Sequence, residues 1–180
     1  MVEKFINKYI HSYKFNYSSF LQNYIDEILD KYDKRNAYDD YDLVLENEEI
    51  ENYLFPKLNK IVEDNYHVGK RYGETRISVY VQEPSNEEPK EEFFHNHVHT
   101  CGSINGVFYL NIPKEGGGIQ FFNPPWVDLT IQPQIDTLYL FPYWIMHRPL
   151  PHKEDIIRIS FNWTYGGIER PMHKLTGEIW

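Results

Sequence analysis

Three histidines, His95, His97 and His99, lie within five residues of a 180-residue chain that contains eight histidines. Alternate side chains of an extended strand share one face, so either neighbouring pair could present two imidazoles to a single metal ion. A His-x-His pair is equally compatible with a polar strand end on which histidines happen to cluster. A third histidine returning later in the chain would favour the metal interpretation.

His147 is the candidate for that third ligand. It follows the apolar, aromatic segment LYLFPYWIM, where an uncharged imidazole needs a polar partner. Taken alone, such a histidine is more typical of a hydrogen-bonded core residue than of a metal ligand. Its importance therefore depends on the residues that accompany it.

Arg158 lies eleven residues further on, in the strand-like segment IIRISFN. Strand alternation places Arg158 and Ser160 on one face, and Ile157 and Ile159 on the other. A guanidinium among apolar side chains is costly unless it meets an anion, and its fork geometry matches a carboxylate. The alternative is a structural salt bridge to one of the 27 acidic side chains.

The combination of a His-x-His pair, a distal histidine and an arginine beside a serine resembles the iron(II)/2-oxoglutarate-dependent oxygenases. The closest resemblance is to the group related to prolyl hydroxylases, in which we expect HxHxxxxxSGVYYL, LxLFPSWLxH and RISxSFN. The resemblance covers about residues 76 to 165 by motif order and strand count. The corresponding segments here are HVH with NGVFYL at 97–99 and 105–110, LFPYWIMH at 140–147 and RISFN at 158–162.

This resemblance implies a double-stranded β-helix, or jelly roll, with iron(II) held by His97, His99 and His147. It also implies that Arg158 binds the far carboxylate of 2-oxoglutarate. Tyr109 and Ser160 are expected to assist at that carboxylate. The implied reaction consumes molecular oxygen and hydroxylates a C–H bond, releasing succinate and CO2.

This chain departs from the family pattern at His99 and at Tyr143, and the choice of the His-x-His pair is also open. Most members of the superfamily have Asp or Glu where this chain has His99, which gives two histidines and one carboxylate. It is also open which two histidines form the His-x-His pair, because His95 and His97 have the same spacing as His97 and His99. We prefer His97 and His99, since this frame keeps the expected distance to the GVFYL strand. Tyr143 replaces the serine expected after Phe-Pro.

The remaining pattern predicts which elements position these residues. Apolar side chains recur at helical spacing over 19–34 and 50–62, with Ser19 and Gln22 placed as in a capping box and Pro56 predicted to kink or restart the second helix. From residue 76 the period changes to two, and Gly and Pro punctuate the runs about every ten residues. We therefore predict one mainly β domain over 1–180, with N-terminal helices packed outside a jelly roll. Its parts are a mostly helical segment over 1–75, a β-helix core over 76–165 and an extension over 166–180; the strand-like runs are 76–82, 93–100, 106–112, 119–122, 127–131, 137–141 and 156–163.

Composition restricts the class of partner. The net charge of −9 disfavours a general nucleic-acid or anionic-membrane binder, and aromatic residues at 17% favour strands. Cys101 is the only cysteine, and the N-terminus lacks the apolar stretch of a signal peptide or membrane span. These features predict a cytoplasmic location, and a small molecule or peptide side chain as substrate; they leave the oligomeric state open.

Two other functions remain open at this point. A cupin-like metalloenzyme of the thiol-dioxygenase type would use three histidines without 2-oxoglutarate, but it would not require Arg158. A non-enzymatic jelly-roll module would bind no metal tightly, and the loss of His147 would leave its function intact.

Overall fold

A computed structural model describes residues 2–5, 7–33, 42–44, 47–68, 77–85, 102–123, 125, 127–166, 172–177 and 179. The side chains of 2–5 and 42–44 are outside this description. The strands are β1 Val2–Phe5, β2 His11–Lys14, β3 Asp42–Val44, β4 Tyr66–His67, β5 Ile77–Gln82, β6 Ile104–Asn111, β7 Ile119–Asn123, β8 Val127–Ile131, β9 Thr137–Pro142, β10 Met146–Pro149, β11 Arg158–Tyr165 and β12 Met172–His173. The helices are α1 Ser18–Leu21, a 3-10 turn Gln22–Tyr24, α2 Ile25–Asp33 and α3 Glu48–Asn65.

Two antiparallel sheets form the body of the molecule. The larger has the strand order β1-β2-β9-β6-β11-β5-β3, and the smaller has the order β10-β7-β8. Consecutive strands in the larger order are mostly distant in sequence, as in a jelly roll. The prediction of a mainly β jelly roll is confirmed. Its runs over 76–82, 106–112, 119–122, 127–131, 137–141 and 156–163 all correspond to strands, whereas the run over 93–100 lies outside the described residues.

Alternation along the strands gives the large sheet two different buried faces. One face packs against the N-terminal helices, where Phe108 and Phe161 stack with ring centroids 5.1 Å apart. Leu54 and Leu58 of α3 are fully buried against this face, and burial of each such side chain contributes roughly 1.5–3 kcal/mol. The other face packs against the small sheet through a second cluster that includes Tyr109, Phe121 and Phe141. The space between the two sheets is called the interior below.

The predicted N-terminal helices are present and pack on the outside of the large sheet. The predicted capping box is wrong, because helix α1 begins after Tyr17 with no cap from its own side chains. Asp136, from the turn before β9, replaces it: Oδ1 accepts from the backbone N–H groups of Tyr17 and Ser18, each at 2.9 Å. Helix α3 also runs through Pro56 without a restart, with Asn47 accepting at its N-terminus.

The segment over 1–75 contributes strands as well as helices. Strand β2 pairs with β9, and β3 pairs with β5, so both extend the large sheet. The helical periods of this segment did not predict those short strands. Among the described residues, no helix is long and apolar enough to cross a membrane.

A buried hydrogen-bonded chain, called the His11 network here, joins His11, Tyr13, Tyr66 and His173. Two backbone N–H groups of the turn after β12 donate to Nδ1 of His173, which places its proton on Nε2. Nε2 then donates to the hydroxyl of Tyr13 at 3.2 Å, Tyr13 to Tyr66 at 3.1 Å, and Tyr66 to Nδ1 of His11 at 2.9 Å. This direction requires both histidines to be neutral.

The His11 network predicts a loss of stability in acid. Burial, reinforced by the nearby His173, lowers the pKa of His11 from 6.5 to about 3. Between these values the unfolded chain binds a proton that the folded protein does not, so stability rises with pH and falls as pH is lowered through this window. We expect the free energy of unfolding of the wild type to fall faster than that of His11→Asn, by up to about 1.4 kcal/mol per pH unit.

Urea unfolding of both proteins at pH 7, 6, 5 and 4 measures this difference. Asn at position 11 keeps an acceptor for Tyr66 but cannot titrate, and the exposed His67, changed to Gln, is the control. Equal pH slopes for the wild type and His11→Asn would contradict the prediction.

Candidate functional site

Arg158 begins strand β11 and projects into the interior, on the face opposite Ile159. Only 1% of the residue is exposed. Its Nη1 donates to Oε1 of Gln82 on β5 at 2.8 Å, while its buried Nε has no hydrogen-bond partner in the described part of the chain. Among the described residues, the ion pairs are Lys31 with Glu27 and Lys60 with Asp64, and neither involves Arg158. The predicted alternative of a structural salt bridge at Arg158 is therefore absent from the described part of the chain.

Tyr109 lies beside this guanidinium. The Cζ atom of Arg158 is 4.9 Å from the centroid of the Tyr109 ring, a cation–π contact. The hydroxyl of Tyr109 is buried, and its proton has no acceptor among the described residues. Burial raises the pKa of Tyr109, while the charge of Arg158 and a hydrogen bond from its guanidinium oppose that shift. The phenol therefore remains a neutral donor at physiological pH.

Two neighbouring buried donors, Nε of Arg158 and the hydroxyl of Tyr109, thus lack acceptors among the residues that the structure describes. Leaving such groups unpaired costs roughly 1–3 kcal/mol each, and more for a charged group. A carboxylate offers two acceptor oxygens and one negative charge, which matches both the unpaired donors and the uncompensated cation. The arrangement consequently fits the distal carboxylate of a ligand such as 2-oxoglutarate.

Tyr109 is held in place from the N-terminal segment. The hydroxyl of Tyr17 donates to the carbonyl oxygen of Tyr109 at 2.6 Å and lies 3.0 Å from its backbone nitrogen, which donates in return. Strand β9 pairs with β6 only over Ile104 to Val107, so Tyr109 lies beyond the end of that ladder. The phenol of Tyr17 therefore makes the two backbone hydrogen bonds that a neighbouring strand would otherwise make with Tyr109.

Ser160 lies opposite Tyr109 in the β11 and β6 ladder. Its hydroxyl donates to the carbonyl oxygen of Tyr80 on the other neighbouring strand, at the long distance of 3.5 Å. The structure therefore brings Ser160 together with Arg158 and Tyr109. Its assistance at a carboxylate stays a prediction.

A glycine turn covers the aliphatic stem of Arg158. Gly117 has a positive φ of 61°, and a Cβ there would lie 2.4 Å from Cγ of Pro113 and 3.5 Å from Cδ of Arg158. Only glycine lets the backbone approach this closely without displacing the proline. The turn over 116–118 thus closes the interior over Arg158.

His147 lies on β10 of the small sheet, opposite Phe121 of β7. It is half-buried, and its ring centroid is 4.7 Å from that of Phe141 and 6.1 Å from that of Phe121. Its Nδ1 lies 3.3 Å from the carbonyl oxygen of Ile145. A carbonyl can only accept, so this contact requires the proton on Nδ1 and leaves the lone pair on Nε2. Metal-binding histidines commonly have this arrangement.

The remaining predicted ligands, His95, His97 and His99, lie outside the described residues. Among the residues that are described, no group of three His, Cys, Asp or Glu side chains could hold a metal ion. Aromatic contacts extend from both described parts of the site into the interior. On the Arg158 side, the ring centroids of Tyr109 and Tyr139 are 6.4 Å apart; on the other side, the ring of Phe141 contacts that of His147. The structure thus groups Arg158, Tyr109 and Ser160, and places His147 on the facing sheet.

Gln82 and Tyr17 contact the site but were not predicted. The alternation of β5 places Ser78, Tyr80 and Gln82 on the face opposite Ile77 and Val79, and a polar row on an otherwise buried strand could have identified Gln82. For Tyr17, no sequence pattern indicates a contact 92 residues away.

The sheets and their interior define a double-stranded β-helix in which Arg158 is buried between the two walls. Solved structures with this fold include a prolyl-4-hydroxylase from Pseudomonas putida, at TM-score 0.59 and 14% identity over 89% of this chain and 94% of that one. They also include a prolyl 4-hydroxylase from Phytophthora capsici, at TM-score 0.61 and 16% identity over 89% of this chain, which spans 59% of that protein. A third is SnoK, a non-heme alpha-ketoglutarate-dependent carbocyclase from nogalamycin biosynthesis, at TM-score 0.57 and 11% identity over 91% of this chain and 81% of that one.

No family model and no curated protein sequence matches this chain. The structural likeness confirms, at the level of the fold, the resemblance first seen in the motifs.

Proposed function

We propose that this protein is an iron(II)/2-oxoglutarate-dependent oxygenase that hydroxylates a small molecule or a peptide side chain. The observation that carries the proposal is that Arg158, which is 1% exposed, has no carboxylate partner among the described residues and lies beside the buried hydroxyl of Tyr109, for which those residues offer no acceptor. A buried cation without a carboxylate is unfavourable unless a ligand supplies the anion. The similar fold of prolyl hydroxylases supports the same reaction class.

In this proposal Arg158 binds the distal carboxylate of 2-oxoglutarate. The hydroxyl of Tyr109 donates to the same group, and its raised pKa keeps the proton available. Arg158 is only 1% exposed, so the interaction of its guanidinium with a carboxylate is stronger than it would be in water. The residues therefore select an anionic end group and orient the ligand along the interior.

His147, with His97 and His99, would hold iron(II) at the other end of the ligand. The backbone contact at Nδ1 of His147 requires the proton on that nitrogen, so a neutral ring would bind the metal through Nε2. Iron(II) and 2-oxoglutarate together supply oxidation of a C–H bond by molecular oxygen, with release of succinate and CO2. With three neutral imidazoles, the charge of 2-oxoglutarate would be the main compensation for the metal charge.

Anaerobic titration of iron(II)-loaded protein with 2-oxoglutarate tests the proposal. We expect a metal-to-ligand charge-transfer band in the visible region that saturates with one ligand per protein. Fully loaded iron without a band would favour a cupin-like metalloenzyme that does not use 2-oxoglutarate. Failure to load iron would favour a non-enzymatic jelly-roll module.

A further inference from the structure

Gln82 accepts a side-chain hydrogen bond from Arg158. The two residues lie opposite each other in the β5 and β11 ladder, and Oε1 of Gln82 accepts from Nη1 of Arg158 at 2.8 Å. The guanidinium contains only donors, so the amide oxygen must face it. The Nε2 group of Gln82 has no hydrogen-bond partner among the described residues and therefore adds two donors beside the arginine.

The backbone of Gln82 is also held in place. His152, which is 2% exposed, lies with Nε2 at 3.4 Å from the carbonyl oxygen of Gln82. The carbonyl oxygen of His152 in turn accepts from the backbone N–H of Ser85 at 2.8 Å, which fixes the chain just after β5. The backbone of Gln82 is thus held both by the β5 and β11 ladder and by His152.

Either an amide or a carboxylate at position 82 would hold Arg158 in the same place, but only the carboxylate would compensate its positive charge. Glutamate would pair with the guanidinium and neutralise it, and the donors at Nε2 would be lost. Glutamine orients the guanidinium through a neutral acceptor and leaves the positive charge to be compensated by something else.

We propose that Gln82 determines the specificity of this site, by orienting Arg158 with a neutral hydrogen bond and thereby reserving its charge for a carboxylate ligand. The inference rests on the proposed function, in which that ligand is 2-oxoglutarate. It assigns to Gln82 both a positioning role toward Arg158 and a donor role toward the carboxylate.

Two variants of equal length separate charge from hydrogen bonding. Gln82→Glu keeps the acceptor for Arg158 but adds a negative charge, whereas Gln82→Met removes the hydrogen bond and stays neutral. We expect Gln82→Glu to weaken 2-oxoglutarate binding at least about 100-fold and Gln82→Met only about 3- to 10-fold. A merely structural role predicts the reverse order, because only Met loses the bond to Arg158.

The measurements are anaerobic calorimetry of the iron(II)-loaded proteins with 2-oxoglutarate, and thermal unfolding of each protein with and without glutarate. Gln120→Glu is the matched control, because Gln120 accepts from Nε of Arg148 at 2.8 Å elsewhere in the fold. We expect this control to bind 2-oxoglutarate as the wild type does. Without ligand, Gln82→Glu should unfold at a temperature equal to or above that of the wild type, because its carboxylate compensates Arg158.

Several results would overturn the inference. Equal weakening by Glu and Met, or a greater loss with Met, would make Gln82 structural only. A Gln82→Glu protein that is less stable than the wild type, or fails to fold, would mean that the charge of Arg158 is already balanced. If the wild type binds glutarate but not 2-oxoglutarate, the proposed function fails, and the order of the two variants toward glutarate still decides the role of Gln82. A wild type that responds to neither ligand overturns both.

Discussion

Replacing Arg158 by Met is expected to abolish 2-oxoglutarate binding while leaving the unliganded protein as stable as the wild type, or more so. Met fills much of the volume of the arginine stem and carries no charge. The wild type holds a cation that is 1% exposed and has no carboxylate partner among the described residues, so the substitution removes an unfavourable buried charge. The affinity for 2-oxoglutarate should fall at least about 100-fold, because the loss of a buried charge-assisted pair costs about 3–5 kcal/mol.

Calorimetry and thermal unfolding, each with and without 2-oxoglutarate, measure the two effects separately. Arg148→Met is the matched control, since Arg148 also donates to a glutamine side chain but lies on β10. A large loss of stability in unliganded Arg158→Met would mean that the arginine is a structural residue. Retention of 2-oxoglutarate affinity would remove the basis of the proposed function.

Replacing His147 by Ala is expected to abolish iron(II) loading while the jelly roll remains folded. His147 is half-buried at the edge of the interior, so its removal leaves the apolar core of both sheets intact. The loss of a direct ligand should reduce metal affinity by more than about 100-fold, since even outer partners of such ligands contribute 10- to 100-fold. Metal content after anaerobic loading, together with circular dichroism, measures both effects.

Further variants identify the remaining ligands. His97→Ala should abolish loading in either frame of the His-x-His pair, whereas His99→Ala and His95→Ala distinguish the two frames. The exposed His67, changed to Ala, is the control for the loss of a histidine outside the site. Full iron loading of His147→Ala would contradict its assignment as a ligand.

Residues could be identified from the sequence where their type is unusual for their surroundings or where they belong to a recognisable motif. The period-two runs identified β5 and β11 because apolar side chains alternate with more polar ones along both strands. Arg158 was found because a guanidinium is conspicuous among Ile and Phe. Tyr109 was found because the resemblance supplied a motif around it.

Residues whose role depends on strand pairing could not be identified in this way. Gln82 matters because register places it opposite Arg158, and sequence periodicity contains no information about register between strands 76 residues apart. Asp136 caps α1 from the far side of the chain, so the local pattern at Ser19 pointed to the wrong cap. Short strands such as β2 could not be identified either, because four residues contain too few repeats to define a period. Such strands form by pairing with neighbouring strands.

The hydroxyl of Tyr17 that holds Tyr109 has a consequence for the order in which the chain folds. Its contact spans 92 residues, whereas hairpins such as β7 with β8 close over only a few. Contacts of high sequence separation form slowly, because the entropy of closing a long loop is lost before the contact can stabilise it. During synthesis, the first seventeen residues must therefore wait for β6 to emerge, and for β11 to bring Arg158 beside it. We expect ligand-binding competence to be the last property that a newly made molecule acquires, well after its helices and hairpins have formed.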